Sequence, residues 1–181
     1  MFLWIWNIKN IGTPDAVISK LKDLNIDDVC IKYHDGRAPM NFKSDFLEYM
    51  PALKKVGIRV GAWGYNYFNS PDSEANLVID SFRNGADYYI FDAEIEVEGK
   101  AQQTKNVLQQ VRKNVPKARL GYAPFPYANL HSSYPYEVFD KYCDFVSPQL
   151  YWQTIGDPVG ISINKMVQSF KAKKLKLPVY P

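Results

Sequence analysis

At 181 residues, the chain suffices for one sizeable hydrophobic core and is too short for two, so a single domain over 1–181 is expected. Apolar residues make up 46% of it, and its 13 tyrosines outnumber its 4 tryptophans, which excludes a disordered chain and suits grooves that stack flat ligands. A net charge of only +3 with scattered basic residues argues against a nucleic-acid partner, and the run 171–176 reads as a solvated helix face.

Apolar strand-like runs recur at 2–8, 28–33, 58–63, 87–92, 118–122, 144–150 and 177–180, with starts roughly 30 residues apart, the length of one strand plus its crossover helix. The first run lacks a basic leader and a cleavage site, so it reads as a strand and not as a signal peptide. It ends on Trp6 and Asn7. A helical pattern follows over 15–24, with Pro14 suited to its first turn. The second run ends on Tyr33, His34 and Asp35. In the next helical pattern, 46–56, Pro51 predicts a break and a restart.

The third run ends on Trp63, Tyr65 and Asn66, and a helix over 72–82 stops near Gly85. The fourth run leads into Asp92, Glu94 and Glu96. Carboxylates at every second position of an extended strand share one face. Crowded together they repel, so one tends to keep its proton near neutral pH while another stays ionised. A helix over 102–114 precedes Pro116, and the fifth run ends on Tyr122 and Pro124.

The stretch 124–135, rich in Pro, Ser and Tyr, breaks the rhythm as a long loop, and loops of that length in compact domains are commonly functional. The sixth run ends on Gln149, Tyr151, Trp152 and Gln153. A last helical pattern covers 163–174. Cys30 and Cys143 lie in apolar runs without metal or redox spacing and read as buried free thiols. No stretch approaches the roughly 18 apolar residues of a membrane span.

Strands alternating with helices at an equal period, with no glycine-rich phosphate loop, predict an α/β chain folded as a (β/α) barrel of the TIM type. An eight-stranded barrel takes about 250 residues, so this one is expected to be incomplete after its seventh strand, lacking a C-terminal strand and helix unit. Active sites of such barrels lie at the C-terminal mouth of the strands. The strand ends here therefore outline a carboxylate-bearing cleft with aromatic walls, suited to sugar rings and their hydroxyls.

Asp92-Ala93-Glu94 is similar to the Asp-x-Glu of glycoside-hydrolase family 25, and Asp92, Glu94 and Glu96 together resemble the Asp-x-Asp-x-Glu of family 18. The segment from Cys143 to Trp152 resembles a sixth strand on which a Gln or Met, followed two residues later by Tyr, faces substrate. The chain thus resembles a glycoside-hydrolase-like (β/α)8 barrel. It departs from family 25 in having no carboxylate on the first run, and from family 18 in having Glu94 for the middle Asp.

The resemblance implies a polysaccharide hydrolase using carboxylate acid/base catalysis, without a cofactor, on peptidoglycan or another N-acetylated glycan of a cell wall, in a phage-related setting. Asp92 and Glu94 are the expected catalytic pair, with Glu94 or Glu96 as the acid. The attacking group is left open among water, Asp35 and the substrate's own N-acetyl group. Trp6, Tyr33, His34, Asp35, Trp63, Tyr65, Tyr122, Gln149, Tyr151 and Trp152 are the expected substrate contacts. Two histidines and scattered acids give no metal-ligand spacing. A barrel that binds carbohydrate without cleaving it, or a structural domain of a cell-surface or phage protein, is the alternative.

Overall fold

The structure is a computed structural model describing residues 2–180. Its strands are β1 (Phe2–Ile5), β2 (Asp28–Asp35), β3 (Arg59–Tyr65), β4 (Tyr89–Asp92), β5 (Leu120–Ala123) and β6 (Phe145–Val146). Among the described residues these six form one parallel sheet in sequence order. It curls into an open half-barrel, the incomplete TIM-like barrel that the repeat length predicts. Helices α1 (Pro14–Asp23), α2 (Phe42–Lys55), α3 (Pro71–Arg83), α4 (Ala101–Asn114), α5 (Tyr136–Tyr142), α6 (Trp152–Ile155) and α7 (Val159–Ala172) join or follow the strands.

Period-two alternation divides the sheet's side chains between two cores. Val29, Ile31, Tyr33, Val60, Tyr89, Phe91, Leu120 and Tyr122 face the helices and pack with Phe46, Leu53, Val78, Leu108 and Phe139. Cys30, Trp63, Tyr88, Ile90, Ala123 and Phe145, with Trp4 against them, fill the inner face. The interior is narrow. A Cβ on Gly61 would come within 2.2 Å of the Tyr88 ring, so glycine is what lets that ring lie across the sheet. Cys30 and Cys143 are buried free thiols, as expected.

The boundaries differ from the sequence reading at several elements, three of which bear on the mouth or the core. The run at 177–180 joins the sheet by a single parallel bridge, Val146 to Val179, with Val146 N donating to Pro178 O at 3.0 Å and Tyr180 N to Val146 O at 2.8 Å. Helix α2 passes through Pro51 without restarting. Both Pro51 and Leu47, whose carbonyl loses its donor, are exposed, so water can satisfy that group. Helix α5, unmarked by the sequence reading, follows the long loop and packs Phe139 flat on Tyr122 at 4.6 Å.

Caps and loop staples set the mouth. Thr13 Oγ1 accepts from Ala16 N at 3.4 Å to start α1 ahead of Pro14. Glu74, buried in the first turn of α3, accepts from Asn66 Nδ2 at 3.3 Å and from Tyr67 N at 3.1 Å, fixing the loop after β3. Lys100 Nζ ties the loop after β4 to it through Tyr67 O (2.9 Å) and Asn69 Oδ1 (2.6 Å).

Candidate active site

Asp92 ends β4 with 8% exposure. The strand stops there, and the chain turns through Ala93 and Glu94 into a short 3-10 turn, Ile95–Val97. Tyr134, from the long loop, donates its hydroxyl to Ala93 O at 2.9 Å and so holds that departure in place. Gln149, just beyond β6, is anchored by its own N–H on Pro124 O at 3.0 Å.

The Gln149 side-chain nitrogen donates to Asp92 Oδ1 at 2.9 Å and Glu94 Oε1 at 3.1 Å, with Ala123 O at 3.3 Å as a third acceptor. Three acceptors fix the amide orientation. Its oxygen then accepts from Tyr151 Oη at 3.0 Å. The two carboxylate oxygens hang on one nitrogen, so their separation cannot exceed the sum of two hydrogen bonds. That lies below the roughly 6.5 to 9.5 Å at which a pair flanks a bond and an inserted water.

Burial, chiefly, raises the Asp92 carboxyl from its ordinary value to about 7; Glu94 adds to the push, Lys32 opposes it, and Asp35 and Glu96 contribute further. Glu96 reaches the same mouth from the 3-10 turn and accepts from Tyr65 Oη at 2.8 Å. Burial and that carboxylate push the Tyr65 hydroxyl upward.

The carboxylates lie in a cleft of about 870 Å³ lined by Trp4, Trp6, Trp63, Tyr65, Asp92, Glu94, Ser147, Pro148, Gln149, Tyr151, Val179 and Tyr180. Trp63 is tilted on Trp4 at 5.2 Å and edge-on to Trp6 at 6.1 Å. Its indole N–H donates to Ile5 O at 3.1 Å, tying β3 to β1. Asp35 stands beside this lining, bonded by Lys32 Nζ at 2.8 Å and by Tyr67 Oη at 3.1 Å.

The expected contacts Trp6, Trp63, Tyr65, Gln149 and Tyr151 thus gather with Asp92 and Glu94 around one cleft. Others do not. Tyr33 and Tyr122 alternate onto the helical face, where Tyr33 Oη donates to Asp80 Oδ2 at 2.5 Å. Trp152, 43% exposed on α6, lies outside the lining.

His34 is correctly placed near a strand end but is fully buried on the helical side. The register slips between Lys32 and His34, so Tyr33 is an extra residue that reverses the alternation. The bulge turns His34 toward Tyr89 and brings Asp35 to the side of Lys32. His34 Nδ1 meets the Gly36 carbonyl at 2.8 Å and must donate to it, leaving Nε2 to accept from Tyr89 Oη at 2.6 Å. Burial lowers His34 to about 4, so it is neutral at physiological pH.

Trp4 and Tyr180 also line the cleft but are not among the contacts expected from the sequence. The Trp4-x-Trp6 alternation is the signal that marks Trp4. Among the described residues no group of three or more His, Cys, Asp or Glu side chains is arranged to hold a metal ion, and no helix is long and apolar enough to cross a membrane.

No family model and no curated protein matches this sequence. Solved structures match its fold. Active domain 2 of a chitinase from Pyrococcus furiosus superposes with a TM-score of 0.67, at 14% identity, over 94% of this chain and 65% of that one. The modular Cpl-1 endolysin, solved with a peptidoglycan analogue, gives 0.56 at 13% identity over 81% and 42%. QR15, an aldolase, gives 0.59 at 12% identity over 99% and 77%. The chain therefore spans less than two thirds of the chitinase and endolysin chains. The fold is distantly glycoside-hydrolase-like, and one architecture here carries more than one chemistry.

Proposed function

We propose that the protein is a glycoside hydrolase acting on a polysaccharide with N-acetylated sugars, of the peptidoglycan or chitin kind. The observation that carries this reading is Asp92 and Glu94 on a single Gln149 amide, at the floor of a cleft walled by Trp6, Trp63 and Tyr151. Rings of this kind pack on the C–H faces of sugars, and a carboxyl held near 7 can keep a proton where a glycosidic oxygen needs one.

The proton retained near neutral pH is that of Asp92. Glu94, the less buried member, delivers it to the departing oxygen, and Asp92 supplies it or orients the reacting group. Both carboxylates rise from one strand end, too close to flank a bond with water between them. An N-acetyl oxygen of the substrate therefore serves best as the attacking group. The chitinase and the endolysin solved with a peptidoglycan analogue share the fold and support this substrate class.

Glu94→Gln should abolish release of reducing ends from chitin or peptidoglycan while leaving the circular dichroism spectrum and melting temperature close to wild type; retained turnover refutes the assignment. One observation favours a second reading. Among the described residues the cleft lining, which includes Trp4, Trp6, Val179 and Tyr180, carries no carboxylate besides this pair. Oligosaccharide binding by the wild type without product release identifies a non-catalytic carbohydrate-binding barrel.

A further inference from the structure

Four carboxylates, Asp35, Asp92, Glu94 and Glu96, share the mouth, and the cation set among them is Lys32 of β2. Its side chain is 1% exposed. Its ammonium has Asp35 Oδ2 at 2.8 Å and is otherwise walled by rings, with the centroids of Trp6, Phe42 and Trp63 at 4.3, 4.6 and 4.9 Å. Ring faces thus replace water around a buried charge, which makes each ring contact stronger than it is at a wetted surface. The three rings come from the end of β1, the start of α2, and β3.

Two of these rings are cleft wall. Trp6 is 67% exposed and touches Trp63 only by its edge. An indole so placed has little packing to stop it swinging between rotamers. The bulge at Tyr33 is what lets Asp35 reach Lys32 three residues away on the same side of the strand.

We propose that Lys32 is a positioning residue of the cleft, whose ring-caged ammonium holds the exposed Trp6 indole as a sugar platform and keeps a buried positive charge at the acidic mouth. The platform half rests on the glycan reading above. The charge half does not, because the cage is built wholly from the chain's own side chains. Lys32 opposes the carboxylates that raise Asp92, and Asp35 is one of those carboxylates. Removing Lys32 and removing Asp35 must therefore move Asp92 in opposite directions.

The test uses the full chain with Lys32→Met, which keeps length and loses charge, and Asp35→Asn at a side chain that is 31% exposed. Intrinsic tryptophan fluorescence is titrated against pH, and binding of an N-acetylglucosamine tetramer is measured at pH 6. The titration midpoint should move to higher pH in Lys32→Met and to lower pH in Asp35→Asn, by about half a pH unit or more. Lys32→Met should also bind the tetramer about fivefold more weakly, with Trp6 more open to iodide quenching.

Midpoints unmoved in both variants, or moved in the same direction, overturn the proposal. If Lys32→Met does not fold, the Asp35→Asn midpoint decides alone, and an unshifted value overturns it. If the wild type binds no tetramer, the glycan reading fails, whereas opposite midpoint shifts still establish the charge role of Lys32.

Discussion

Asp92 sets the chemistry of the cleft against the stability of the fold. Its proton is held more tightly in the folded state than in the unfolded chain, since burial raises the carboxyl from 3.8 to about 7. The stability this contributes is complete below about pH 4 and is lost as pH rises through 7. Asp92→Asn keeps the shape and an acceptor for Gln149. It should therefore melt above wild type at pH 8, by an amount worth about 1–3 kcal/mol, with the gain vanishing towards pH 4. Equal melting temperatures at pH 8 would contradict the burial argument. Gln149→Leu takes the shared donor from both carboxylates and leaves the Tyr151 hydroxyl without its acceptor; kcat should fall about 100-fold with a smaller change in KM, measured on soluble oligosaccharide. At this scale Asp92, Glu94 and Gln149 were legible, because polar residues closing apolar runs stand out. Tyr33 and Tyr122 misled because a strand end reaches the mouth only through the side chains of one parity. Lys32 was not legible, since the three rings around it come from three separate segments of the chain.

The bulge in β2 is the element on which the mouth depends. It turns His34 under Gly64, where a Cβ would lie 2.3 Å from His34 Nε2 and 2.5 Å from Tyr89 Oη. Neither buried, hydrogen-bonded group can yield easily. Gly64→Ala should cost about 1–3 kcal/mol in denaturant unfolding, and it should disturb Asp35 without touching the cleft directly. A variant as stable as wild type would mean that the bulge relaxes freely. No residue pattern announces this bulge, because Lys32, Tyr33, His34 and Asp35 read as ordinary alternation, and the extra residue shows only when β2 is laid beside β3. Helix α2 differs from its reading for a related reason. Pro51 is a break signal taken alone, and only the exposure of its face shows that the lost hydrogen bond is tolerated. Helix α5 is short and follows a loop of mixed polar and aromatic residues, so its few apolar positions gave no period to read.

Across the whole molecule the strand and helix rhythm was the most legible feature, because each repeat must bury one apolar strand under one helix face. The seventh run was over-read. Its apolar residues are real, but only Val179 pairs, and Tyr180 lies half-exposed at the cleft. Two buried groups also give opposing pH slopes. His34, lowered to about 4, contributes stability that is present above about pH 6.5 and is lost as pH falls towards 4, while Asp92 contributes in the opposite sense over nearly the same window. Asp92→Asn removes one slope and leaves the other visible. The seat of Asp92 has one more consequence. A ligand lying over it strips away the last water at a carboxyl that is about half ionised at neutrality, so association should draw hydrogen ions from the medium. Titration calorimetry with an oligosaccharide at pH 7.5 should then return different heats in phosphate and in Tris, in proportion to their ionisation enthalpies; identical heats would place the occupant elsewhere. Occupancy would rise in acidifying surroundings and fall in alkaline ones, making the protein's grip on its ligand a gauge of local acidity.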